Sequence, residues 1–316
     1  MTMPPVPSDL RPDVAAFLAM MAANPRPPFT ADVIASIRGM STTAMASLDL
    51  PVGAIETRDV TMPGPGGAIA LRLYDPRPAR EPGPVVIFYH GGGFVVGGID
   101  THAGVAAEIA RSLDLPVVSV DYRLAPEHRW PAAPDDAEAA ARWIIANGPA
   151  FGRGFTGLIL CGDSAGGTLA IVTALALRDT PAAVPLLLQI AIYPAVDHRG
   201  DYESRTAFAE GYGLDATDMA LYDRHYAADP AHWRNSPLLA DQRGMPPSVI
   251  VTAGFDPLRD EGRAYAAATA QAGVPTMFHE AAGTIHGFAT YRRVIPSARR
   301  DLAIVLGLAR QMLSAR

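Results

Sequence analysis

Short apolar runs alternate with longer helical stretches along most of this chain. The runs are residues 69–74, 85–89, 117–120, 158–160, 186–192, 249–251 and 276–279. They are short, rich in Val, Ile and Leu, and bounded by Gly or Pro, which predicts buried strands. Helices are expected between the later runs at 103–113, 135–146, 165–178, 259–272 and 297–313. Strands and helices in that order imply an α/β chain with a mostly parallel sheet and helices on both faces. The early strands, before Val85, are expected to be antiparallel, because their connection is too short for a crossover helix. The first fifty residues read as helices at 13–21 and 30–38, with Thr30 as the N-cap of the second. One connection is too long for the pattern. Over fifty residues separate Tyr193 from Val249, and they hold Tyr202, Phe208, Tyr212, Tyr222, Tyr226 and Trp233. A connection of that length carries structure or function of its own. It is expected to fold over the top of the sheet with the N-terminal helices; a peripheral helix pair is the alternative.

Composition removes several chemistries. All 26 basic residues are Arg, and the chain has no lysine. Schiff bases to pyridoxal phosphate, a phosphate-loop lysine and a Ser-x-x-Lys dyad are therefore excluded. The net charge is −6 with no basic stripe, so no nucleic-acid partner is expected. Cys161 is the single cysteine, which excludes an intramolecular disulfide and a Cys-cluster metal site. No run reaches about 18 apolar residues. A soluble, cytoplasmic protein without membrane attachment, metal or cofactor is the expectation.

The strongest local signal is Gly162-Asp163-Ser164-Ala165-Gly166-Gly167, between a predicted strand and a predicted helix. Gly-x-Ser-x-Gly in that setting makes a turn so tight that the flanking positions must lack bulk, and it lifts the serine hydroxyl clear of the sheet. The helix N-terminus favours negative charge there. His90-Gly91-Gly92-Gly93 follows the strand at 85–89. Glycines allow backbone N–H groups to approach an oxygen that gains charge during acyl transfer. Gly92 and Gly93 are the expected donors, with Ala165 as the third, and His90 is expected to anchor the loop. A serine needs a base. Of eight histidines, His286 lies in a loop beyond the last predicted strand, where catalytic loops of open α/β sheets gather. Asp256 is the carboxylate expected to orient it. Asp260 and Glu261 are rivals, although both lie in the predicted helix. The order Ser164, Asp256, His286 is that of α/β-hydrolases.

Together with Asp121-Tyr122-Arg123-Leu124-Ala125-Pro126-Glu127, Asp256-Pro257-Leu258-Arg259-Asp260 and His286-Gly287-Phe288, these motifs resemble the bacterial esterases similar to hormone-sensitive lipase. The resemblance runs from about residue 55 to the C-terminus. It implies an eight-stranded α/β-hydrolase core with a helical cap. Residues 1–50 and 199–235 would form the cap, and 51–198 with 236–316 the catalytic domain. It implies Ser164 as nucleophile, His286 as base, Asp256 as its partner, and oxyanion donors at Gly92, Gly93 and Ala165. By analogy, residues 121–127 support the active-site loops. The implied activity is hydrolysis of short- to medium-chain carboxylic esters through an acyl-enzyme. The alternatives are hydrolysis of amides, lactones or acetylated small molecules, and a non-catalytic small-molecule receptor on the same fold. Phe94, Tyr193, Leu214, Ile285 and Phe288 sit beside the motifs or in the insertion and are the candidate pocket walls. A homodimer through the last strand is the oligomer the resemblance suggests.

Overall fold

A computed structural model describes residues 7–24 and 34–315. Thr30 and the start of the helix expected at 30–38 lie outside the described residues. Two helices, α1 (Pro12–Ala23) and α2 (Ile34–Leu48), come first. The chain continues through β1 (Glu56–Gly64), β2 (Gly67–Asp75), β3 (Gly83–Tyr89), α3 (Ala103–Leu113), β4 (Val117–Val120), α4 (Ala132–Ala146), β5 (Phe155–Asp163), α5 (Ala165–Asp179) and β6 (Leu186–Ile192). The long connection holds α6 (Glu203–Ala207) and α7 (Ala216–Tyr226). Then come β7 (Ser248–Phe255), α8 (Arg259–Gln271), β8 (Thr276–Ile285) and α9 (Ala298–Ser314).

The eight strands form one sheet in the order β1-β2-β4-β3-β5-β6-β7-β8. β1 pairs antiparallel with β2, and β2 with β4; the remaining neighbours are parallel. The central strands are mostly apolar because both faces are covered; Ser119 and Gln189 are the buried polar exceptions in β4 and β6. Val85, Ile87, Leu158 and Leu160 join the cluster with Ala137, Ile144 and Leu169 of α4 and α5. Their neighbours Val86, Phe88, Ile159 and Cys161 join Val105, Ile109, Leu302 and Val305 of α3 and α9. That alternation is the two-residue period of a strand. β1 has no apolar run to announce it. It lies at the sheet edge, and Met62 is its one fully buried residue.

The N-terminal segment is tied down by hydrogen bonds and a buried ion pair. Asp13 accepts the Ser297 N–H at 2.8 Å and its hydroxyl at 3.0 Å, at the start of α9. Asp49, just after α2, takes two 2.7 Å hydrogen bonds from the Arg292 guanidinium, with both side chains buried. Breaking one side of a buried pair leaves an uncompensated charge, which costs about 3–5 kcal/mol. Asp49→Ala is therefore expected to lower unfolding free energy by about that amount, read from urea midpoints. An unchanged midpoint would remove this pair from the forces holding the N-terminal helices.

Candidate active site

The carboxyl ends of the central strands converge on one polar cluster. β5 ends at Asp163 and α5 starts at Ala165, so Ser164 makes the turn alone. Its backbone lies at φ 53° and ψ −123°, a strained conformation for a residue with a Cβ. Two glycines make the turn possible. A Cβ on Gly162 would lie 2.1 Å from the Gly166 carbonyl oxygen, and one on Gly166 would lie 1.9 Å from that of Tyr89. The Ser164 N–H is held by the Ile192 carbonyl at 2.8 Å.

β8 runs on to Ile285, past the residue-279 limit expected from its apolar run, and delivers His286 directly at its end. His286 Nε2 is 2.9 Å from Ser164 Oγ, and its Nδ1 is 2.7 Å from Asp256 Oδ2. Asp256 is fully buried, and its other oxygen accepts the Leu258 N–H at 2.8 Å. The rival carboxylates are engaged elsewhere. Asp260 pairs with Arg259 and Arg263. Glu261 is buried against Arg205 at 2.6 Å and accepts the Val196 N–H.

The 90–93 loop arches beside the serine. Gly92 has φ 121°, and a Cβ there would lie 2.1 Å from the Val96 carbonyl oxygen. The N–H groups of Gly92, Gly93 and Ala165 find no acceptor among the described residues. Support for the loop comes from four sides. Asp163 accepts the Gly91 N–H at 2.9 Å, with His102 Nε2 at 3.5 Å and the Tyr193 hydroxyl at 3.4 Å. Burial works to raise the pKa of Asp163, but the attractions of its partners, His102 foremost, together outweigh it and hold it below the usual carboxylate range. The His90 ring stacks on Tyr122 with centroids 4.3 Å apart, and the Tyr122 hydroxyl donates to the His90 carbonyl at 2.7 Å. Arg38 of α2 donates to the Val95 and Ala125 carbonyls at 2.8 and 2.6 Å. The Ala125 N–H in turn bonds the Phe94 carbonyl at 2.8 Å.

The expected pocket walls occupy different layers. Phe94, at φ 61°, stacks on Tyr226 of α7 at 4.0 Å. The Tyr193 ring lies 4.7 Å from that of His286 and 5.1 Å from Phe288. Ile285 and Phe288 are fully buried in the hydrophobic core, which places Phe288 behind Tyr193. Leu214 is half-buried next to Gly213, whose missing Cβ would lie 3.5 Å from Ile285 Cδ1. Asp163, His102, Tyr222 and Tyr226 were not singled out from the sequence for roles at the site. Asp163 adjoins the serine, and the two tyrosines stand one helical turn apart, but burial and contact are tertiary properties. A cavity of about 360 Å³ lined by Val52, Thr57, Asp59, Arg72, Tyr74 and Ala103 lies elsewhere and shares no lining residue with this cluster.

His90 carries a pH consequence. Complete burial, aided by the nearby His102, pushes its pKa from 6.5 to about 3. The unfolded chain takes up this proton below about pH 6.5 and the folded chain does not until about pH 3. The contribution is thus complete above about 6.5 and is lost as pH falls. Asp163, with its lowered pKa, also loses stability towards acid, but from the carboxylate range downward. Between pH 6.5 and 5 the His90 loss should be roughly 2 kcal/mol. Urea midpoints across that range should fall less steeply in His90→Gln; equal slopes would contradict a neutral buried His90.

The family model for the alpha/beta hydrolase fold matches residues 86–290. The chain is 41% identical to esterase LipI of Mycobacterium tuberculosis, over 76% of this chain and 77% of that protein. It is 35% identical to an ethyl acetate hydrolase of Pseudomonas putida, over 82% of each. Among solved structures, an ester hydrolase from the Lake Arreo metagenome, complexed with a bipyridine phosphonate derivative, superposes with a TM-score of 0.91. The two are 37% identical, over 96% of this chain and 99% of that one. The Pyrobaculum calidifontis esterase superposes with a TM-score of 0.87 at 35% identity, over 97% and 99% of the two chains. By sheet order, by the Ser164–His286–Asp256 contacts and by these relatives, the chain belongs to the alpha/beta hydrolase fold family, in the branch of bacterial esterases similar to hormone-sensitive lipase.

Proposed function

We propose that this protein is a serine carboxylesterase acting on short- to medium-chain carboxylic esters. The observation that carries the reading is the continuous relay from Ser164 Oγ through His286 to Asp256, with contacts of 2.9 and 2.7 Å. His286 takes the Ser164 proton at Nε2 as Oγ attacks the ester carbonyl carbon. Asp256 accepts the Nδ1–H, which sets the tautomer and stabilises the imidazolium. The carbonyl oxygen becomes an oxyanion and accepts from the N–H groups of Gly92, Gly93 and Ala165, donors already oriented before substrate arrives. The tetrahedral intermediate collapses, the alcohol leaves with the proton from His286, and Ser164 is acylated. Water then attacks the acyl carbon while His286 takes its proton, and Ser164 is released with the carboxylic acid.

In this reading α1, α2, α6 and α7 form the cap, and residues 51–198 and 236–316 the catalytic domain. Phe94, Tyr193 and Leu214 bound the substrate, with Ile285 and Phe288 supporting them from the core. The ester relatives support a small-molecule substrate. No helix among the described residues is long and apolar enough to cross a membrane. The one cysteine, buried, suits a reducing cytoplasm. β8 is a sheet edge that presents the exposed Phe278, and it is the surface we assign to a homodimer.

Ser164→Ala should lower kcat by at least about 10⁴-fold while the protein remains folded. A fluorophosphonate should label wild type and not the variant. Full residual turnover in Ser164→Ala would overturn the nucleophile, and an unlabelled wild type would revive a receptor role. Asp256→Asn should cost about 10⁴ in kcat through the wrong histidine tautomer. Across straight-chain p-nitrophenyl esters, activity should peak below about ten carbons; in a parallel amide series, faster turnover would move the substrate class.

A further inference from the structure

Gly93 is pressed against the cap. A Cβ built on it would lie 2.4 Å from Cγ and 2.6 Å from both Cδ atoms of the Tyr222 ring. The ring of Tyr222 therefore lies directly on the backbone of a residue whose N–H is an oxyanion donor in the reading above. The ring is held there by its helix. Tyr226, four residues on and so on the same face of α7, stacks on Phe94 with centroids 4.0 Å apart. The Tyr226 carbonyl accepts the Trp130 N–H at 3.0 Å. At its other end, α7 is closed by a capping box of Asp215 and Asp218. Two aromatic contacts one turn apart fix α7 over the adjacent residues Gly93 and Phe94.

Substrate geometry makes that position consequential. A carbonyl oxygen accepting from Gly93 N–H sits about 2.9 Å from the nitrogen, and its carbon about 1.2 Å further. The groups attached to that carbon then lie within a few ångströms of Gly93, the residue on which the ring rests. We infer that Tyr222 is a specificity-determining residue whose ring restricts bulk on the groups adjoining the ester carbonyl, so that the enzyme favours unbranched over branched esters. The inference rests on the esterase reading. The wall is the aromatic ring, and the hydroxyl is not required for it.

The test compares wild type with Tyr222→Ala, Tyr222→Leu and Tyr222→Phe on two series. One holds the alcohol as p-nitrophenol and varies the acyl group from straight butyrate to isobutyrate and pivalate. The other holds the acyl group as acetate and varies branching of the alcohol. Tyr222→Ala should raise kcat/KM for branched relative to unbranched esters by about tenfold or more in at least one series, chiefly through KM; about one methylene in an apolar pocket discriminates to this degree. Tyr222→Leu should fall between, and Tyr222→Phe should keep the wild-type ratio. Thermal midpoints report whether each variant is folded, and Tyr222→Leu keeps the test valid if alanine unfolds the helix. An unchanged branched-to-unbranched ratio in both series, with wild type hydrolysing the straight esters, overturns this inference alone. A loss of all activity proportionally, with the ratio preserved, also overturns it, because that is what a purely structural ring would do. Failure of wild type to hydrolyse any straight ester would instead overturn the esterase reading.

Discussion

The contact between α5 and the end of β3 is what the site depends on. Gly166 lies so close to the Tyr89 and His90 carbonyls that a Cβ would stand 1.9 and 2.6 Å from their oxygens. Through it, the helix that starts after Ser164 is seated against the strand that carries the glycine loop. One close approach therefore sets both the strained turn at Ser164 and the distance from the serine to Gly92 and Gly93. Any side chain at Gly166 would push the two apart, and acyl transfer is sensitive to misplacement of about 1 Å.

Two buried aspartates flank the serine and differ in what they face. Asp256 points one oxygen at a backbone N–H and the other at His286. Asp163 faces the Gly91 N–H, His102 and the Tyr193 hydroxyl, and so binds the loop rather than His286. Because Tyr193 also packs its ring on His286, Asp163 links the two halves of the site through a single carboxylate. A buried charge with this many partners costs far less than an unpaired one.

The segments outside the sheet hold the same loop from above. Arg38 reaches the carbonyls of Val95 and Ala125, and α7 lays its tyrosines on Gly93 and Phe94. The glycine loop is therefore clamped between strand-borne residues below and helix-borne residues above. That arrangement holds the loop without occupying the N–H groups of Gly92, Gly93 and Ala165.

Much of this was legible in the sequence. The parallel core announced itself because strands covered on both faces must be largely apolar, as in 117–120 and 186–192, where the expected and observed limits agree. Ser164 and the glycine loop were legible because tight turns tolerate few residue types. β1 was not, since an edge strand with one buried residue leaves no periodic mark. The full length of β8 was hidden for a related reason: Ala281, Gly283 and Thr284 are buried without forming an apolar run. By itself, then, the sequence determined the fold class, the strand-to-helix turn at Ser164 and the absence of any lysine chemistry, because these follow from local sterics and composition. Only the tertiary structure decided which carboxylate reaches His286, that Asp163 braces the loop, and that Tyr222 covers Gly93. Those depend on which distant residues meet when the strand ends converge, and chain order does not encode those distances.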